Sequence, residues 1–220
     1  MDWSSLRLSL ELALWTALLL LPLGMVAGRE LAWRRFAGRA WVEALVALPL
    51  VLPPTVLGYY LLVAFGGSSA LGQVYQALVG RPLAFSFQGL LLASLIFNLP
   101  FAVQPMQRAF EAIPQDVREA AWVSGLTRWR AFLRVELPLA WPGVVSSLVL
   151  TAAHTVGEFG VVLMIGGNIP GETRTISIAI YDRVQAFDEG AAASMSALLI
   201  GLSLFAIAVV YLLAGRGRPR

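Results

Sequence analysis

Glu119-Ala120-Ala121-Trp122-Val123-Ser124-Gly125, running on to Val135-Glu136-Leu137-Pro138, is a polar interruption in an otherwise apolar chain. Asp116 and Glu119 have the spacing of a capping box, which predicts the start of a short helix. Gly125 is free to take positive φ and suits the position just past that helix. Thr127 is placed to cap a second short helix carrying Trp129, Phe132 and Leu133, and Pro138 is expected to end it. The expected product is two short helices at an angle. Ala120 and Ala121 let a partner surface approach closely, and Trp122 and Leu126 beside them are costly to leave bare. The plainer alternative is an interhelical loop in which Glu119 merely caps.

Outward from this stretch the chain is too apolar for water. Of 220 residues, 58% are hydrophobic and 13% charged, with a mean hydropathy of +0.75. That is about half the usual share of charge, so lipid is the expected solvent. Five runs reach the roughly 20 apolar residues that cross a bilayer. They are 8–27, 42–65, 89–110, 139–165 and 191–214. The first is too long for the apolar region of a secretory signal and lacks a clean cleavage site, so it reads as an uncleaved span. The expectation is an all-α integral membrane protein with five transmembrane helices in one domain, residues 1–220. Residues 111–138 form its main inner loop.

All 16 basic residues are arginine, and the net charge is +3. Twelve arginines fall in 29–39, in 105–138 and in the tail (Arg216, Arg218, Arg220), all on one side of a five-span chain. The bias of arginine toward the cytoplasm then places the N-terminus outside and the C-terminus inside. No basic cluster is interleaved with aromatics as a nucleic-acid groove requires, so nucleic acid is not an expected partner. The chain has no cysteine, which excludes disulfides and thiolate metal sites.

The inner stretch resembles the signature of the binding-protein-dependent ABC permeases: Glu-Ala-Ala, three residues, Gly, nine residues, Ile-x-Leu-Pro. Glu119, Ala120, Ala121, Gly125, Leu137 and Pro138 match, and Val135 replaces the isoleucine. The resemblance implies a type I importer permease in a bacterial or archaeal cytoplasmic membrane. It implies a homodimer, each copy docking one of two ABC ATPase subunits through a coupling helix shaped by Glu119, Ala120, Ala121 and Gly125, with Leu126 beside them. An extracytoplasmic binding protein would deliver the cargo. ATP and Mg would be bound by the ATPase, and no cofactor or metal by this chain.

Two further stretches, Leu48 to Tyr60 with Pro53-Pro54-Thr55, and Gly157-Glu158-Phe159-Gly160 followed by Ile165 to Thr175, look like the oxyanion importers. Gly171-Glu172-Thr173-Arg174-Thr175 and Pro53 to Tyr59 are more similar to the molybdate branch than to the sulfate branch. The cargo implied is molybdate, with tungstate on the same path and sulfate or thiosulfate as the alternative. Asn168, Gly171, Glu172, Thr173 and Arg174 become candidate contacts for the binding protein, against a plain solvated loop.

Pro53 and Pro54 interrupt the second span, either as a packing kink or as a broken helix lining a path. Thr55 is placed to repair a freed carbonyl or to meet the ion. Asn98, polar at membrane depth, must face protein or water. His154 and Glu158 share a helix face; too few ligands join them for zinc, so a hydrogen bond between them or to backbone is expected. Glu158 repels a dianion and reads as a tie to helices or backbone amides near an outer gate.

Enzyme readings fail. There is no Gly-x-Ser-x-Gly, every Asp lies in a loop or terminus, and no phosphate-cradling Gly-x-x-x-x-Gly-Lys occurs. Energy for any pumping must come from a partner.

Overall fold

The computed structural model describes residues 2–215, and side chains up to Leu212. The tail arginines Arg216, Arg218 and Arg220, used above for orientation, lie outside the described residues. All regular structure among the described residues is helical. In chain order the helices are α1 (Trp3–Trp33), α2 (Arg39–Val51), α3 (Pro54–Phe65), α4 (Ala70–Val79), α5 (Phe87–Glu111), α6 (Gln115–Val123), α7 (Arg128–Ala131), a π-helical turn (Phe132–Glu136), α8 (Leu137–Gly157), α9 (Gly160–Gly166), α10 (Ile176–Gln185) and α11 (Glu189–Gly215).

Four stretches are long and apolar enough to cross a membrane unbroken: α1, α5, the run from Arg128 to Gly157, and α11. The fifth is the pair α2 and α3, bent by 108° at Leu52-Pro53. A proline kink in a continuous helix is far gentler, so the second span is broken.

The core is α1 packed on α5, with α8 against both. Gly24 and Gly28 of α1 make this close approach possible. A Cβ on Gly24 would stand 2.8 Å from the Ala102 carbonyl oxygen, and one on Gly28 would stand 2.9 Å from the Gln107 nitrogen. Lipid supplies no hydrophobic drive between helices, so small residues that bring backbones together are what membrane helices use instead. α11 leaves nearly all of its apolar surface uncovered by the rest of the chain.

Three local expectations are corrected. The fourth span, expected as one helix over 139–165, breaks at Glu158-Phe159 between Gly157 and Gly160. The capping box at Asp116 and Glu119 does not form: Pro114 is the N-cap, and Glu119 instead accepts from the Gln115 side chain at 2.6 Å. Pro138 does not end a helix. Its missing N–H falls in the first turn of α8, and the π-helical turn before it carries the chain through by bonding Leu137 N–H to the Phe132 carbonyl, five residues back. Inner helix and span are therefore one rod.

Candidate functional site: an anchored loop and a cavity at the helix breaks

Two regions gather the residues that the sequence singles out. The first is the inner platform. α6 closes in a Schellman turn: Gly125 N–H bonds Trp122 O at 3.0 Å, Leu126 N–H bonds Ala121 O at 3.3 Å, and Gly125 sits at φ 76°. Thr127 Oγ accepts from Arg130 N–H and starts α7. Ala121 packs inward, whereas Glu119, Ala120, Trp122 and Val123 face out. Val123 is 89% exposed and Trp122 47%, a bare apolar edge on a polar helix. Leu126 is half-buried, and Leu137 and Pro138 stand above on the rod.

The platform hangs on contacts that sequence reasoning missed. Glu136, only 1% exposed, receives Arg29 Nε at 2.6 Å and a second guanidinium N–H at 3.0 Å. This is the bidentate, charge-assisted form of the pair. The Arg29 guanidinium lies 5.0 Å from the Trp33 ring centre, and that of Arg118 lies 3.6 Å from the same ring and 5.5 Å from Trp122. Trp33 Nε1–H bonds the Phe110 carbonyl at 3.1 Å, at the end of α5. A cation–aromatic stack thus ties α6 to the ends of α1 and α5. Desolvation draws the Arg118 pKa down, the charge of Glu136 partly offsets this, and the guanidinium stays cationic at neutral pH. One signal was present in the sequence: Glu136 lies between Val135 and Leu137 at a span edge, where a buried carboxylate needs a cation.

The second region lies within the membrane bundle. A cavity of about 160 Å³ is lined by Leu52, Pro54, Phe97, Phe101, His154 and Glu158, among others. Both helix breaks meet here, because Gly160 sits against Pro54: a Cβ on Gly160 would come within 2.8 Å of the proline Cβ. Glu158 Oε1 accepts from Val161 N–H at 3.0 Å and so starts α9. His154 stacks on Phe101 at 4.1 Å between ring centres. Its Nδ1 lies 3.0 Å from Asn98 Oδ1, while Nε2 is 3.9 Å from Glu158, so of the two expected bonds the one to backbone forms, at Glu158, and His154 pairs with Asn98 instead. Asn98, fully buried, also donates to Thr155 Oγ1 at 2.9 Å and to Ser94 O at 2.9 Å. Thr16 Oγ1 donates to Ser94 Oγ at 2.8 Å, which completes a polar thread across α1, α5 and α8. Pro53 and Thr55 are exposed and do not line the cavity.

Among the described residues no arginine lines this cavity. Its wall is otherwise apolar, with a histidine and one carboxylate as the polar groups. The wall offers no cation that would hold an anion tightly. No group of three potential metal ligands gathers among the described residues.

The outer segment after α9 is ordered by its own contacts. Asn168 donates to both Asp182 carboxylate oxygens at 2.9 and 2.8 Å, and Arg174 bonds Asn168 and lies 3.6 Å from Asp182. Arg174 is therefore partly neutralised. Gly171 turns the chain at φ 77°, and Glu172 is exposed. Thr173 must be taken off the list of contact residues: it is fully buried, donating to Gly166 O at 2.6 Å and accepting from Ile169 N–H at 3.1 Å.

Comparison with known proteins places the chain. The family model described as "Binding-protein-dependent transport system inner membrane component" matches residues 21–218. The molybdenum transport system permease protein ModB of Azotobacter vinelandii is 47% identical over 96% of this chain and 92% of its own length. ModB of Escherichia coli K12 is 36% identical over 100% of this chain and 96% of its own. The sulfate transport permease CysT of the same organism is more distant, at 32% over 87% of this chain and 70% of its own. Among solved structures, a bacterial ABC transporter importing the polysaccharide alginate superposes with a TM-score of 0.71 at 19% identity, over 97% of this chain and 77% of that one. That likeness speaks for the fold alone. The chain belongs to the family of binding-protein-dependent transport system inner-membrane components.

Proposed function

We propose that this chain is the membrane permease of an ATP-driven importer that carries molybdate into the cytoplasm. The observation that carries the importer reading is the anchored platform. An exposed apolar helix edge at Glu119–Gly125 is fixed by Glu136 and the cation–aromatic stack to α1, α5 and the α8 rod, and α5 and α8 help line the cavity. Force applied to α6 by a partner must move α1, α5 and α8 together. The chain has no ATP-binding motif of its own, so that partner is an ATPase subunit.

Two copies supply the pathway, with two ATPase subunits below and a loaded binding protein above. The N-terminus lies outside and the C-terminus in the cytoplasm. Closure of the ATPase pair draws the two platforms together and opens the cavities outward; hydrolysis returns them. Molybdate is favoured by the names of the relatives at 47% and 36% identity, and sulfate or thiosulfate is the second reading, through the more distant sulfate permeases. Nothing in the cavity wall tells one tetrahedral dianion from the other, which leaves selection to the binding protein. The decisive measurement is ATP hydrolysis by the reconstituted complex. Molybdate-loaded binding protein should stimulate it and sulfate-loaded protein should not; equal stimulation, or stimulation by sulfate alone, overturns the cargo.

A further inference from the structure

Two hollows open side by side on the face that carries the inner platform, and they share Arg29, Glu30 and Arg128. The first, about 340 Å³, is apolar, walled by Met25, Val26, Trp129 and Phe132. The second, about 230 Å³, is walled by Trp33, Arg34, Arg118 and Trp122. Two of the four arginines are already engaged, Arg29 by Glu136 and Arg34 by Glu30 at 2.6 Å. Arg118 and Arg128 have no ion-pair partner among the described residues, and the buried Nε of Arg118 meets no acceptor. Trp33 and Trp129, at the inner ends of two spans, mark the headgroup level of the bilayer. An apolar slot joined to an arginine pair at that level matches an amphiphile with a negative head.

We propose that the joined hollows bind one anionic phospholipid, with its phosphate on Arg118 and Arg128 and an acyl chain along Met25, Val26 and Phe132. This holds whatever the cargo is. A soluble ATPase does not fill the apolar hollow, because Met25 and Val26 belong to the first apolar run and lie at membrane depth. A free inorganic anion has no use for that hollow.

The test uses the full complex with its ATPase, purified and reloaded in nanodiscs of mixed phosphatidylethanolamine and phosphatidylglycerol, with retained lipid counted by mass spectrometry after extraction into detergent. Phosphatidylglycerol should be retained in preference to phosphatidylethanolamine. Arg118→Gln and Arg128→Gln should each weaken retention about fivefold. Val26→Trp, which fills the apolar hollow away from the platform, should lower it too while the ATPase still co-purifies. Unchanged phosphatidylglycerol in all three variants, or equal retention of both lipids, overturns the proposal. So does loss of the ATPase rather than of lipid in Val26→Trp, which would make the hollow a protein contact. Inorganic phosphate binding to the delipidated complex with no phosphatidylglycerol retained would leave only a free-anion site.

Discussion

The inner platform and the membrane cavity are built from opposite chemistry. The platform concentrates charge: a bidentate Arg29–Glu136 pair and guanidinium groups stacked on Trp33 and Trp122. The cavity is mostly apolar, with His154 and Glu158 at its wall, the hydrogen bonds of Asn98 behind it, and no arginine among the described residues lining it. The difference suits the two roles proposed for them. A lever has to be stiff, and charge-assisted bonds near the membrane surface give stiffness. If the cavity is the passage for a dianion, as the proposed function has it, it must not retain the ion, and the absence of a cation from its wall suits that role.

The comparison can be broken first at Glu136. Replacing it with Ala leaves Arg29 without its buried partner and should cost about 2–3 kcal/mol, below the full value for a buried pair because Arg29 is partly exposed. Thermal unfolding of the purified complex measures the loss. Restoration of most of it by adding Arg29→Met would assign the cost to the unpaired charge; no restoration would argue for packing instead. The cavity side is probed by Gly160→Ala. The new methyl meets Pro54 at 2.8 Å, and overpacking of that kind costs about 1–3 kcal/mol. Uptake should fall while ATPase co-purification holds, because the damage lies far from the platform.

A subtler cut is Gly125→Ala, which places a Cβ at φ 76° with open space around it. The strain is about 1 kcal/mol, and the expected result is weaker ATPase binding in a pull-down with little change in unfolding temperature. The smallest effect belongs to Arg174→Gln. Because Asp182 already sits 3.6 Å away, loss of this exposed pair should change stability by less than about 1 kcal/mol and uptake by less than about twofold. A large loss of uptake would show that the outer arginine, and not only the binding protein, gathers the anion.

Much of this was legible along the chain. Apolar runs of bilayer length announce spans because every residue in lipid must be apolar or paired. The Schellman turn at Gly125 and the cap at Thr127 are local, decided by residues within one turn of each other. The failures were also instructive. Pro138 reads as a stop only if the helix before it is α; a π turn moves the missing bond out of the ladder. Thr173 looks like a surface loop residue, yet it is buried because its hydroxyl satisfies Gly166 and Ile169, whose backbone groups would otherwise be orphaned.

By itself, then, the sequence determined a five-span helical membrane protein with an inner signature loop, since hydropathy, arginine placement and short-range turn chemistry act through neighbours in the chain. Only the tertiary structure decided that Glu136 chooses Arg29, 107 residues away, that Asn98 takes His154 from Glu158, and that the break at Pro54 faces the break at Gly160. Each of these is a choice among several chemically acceptable partners. It is made by which helices the small residues Gly24, Gly28 and Gly160 allow to touch, which no local pattern specifies.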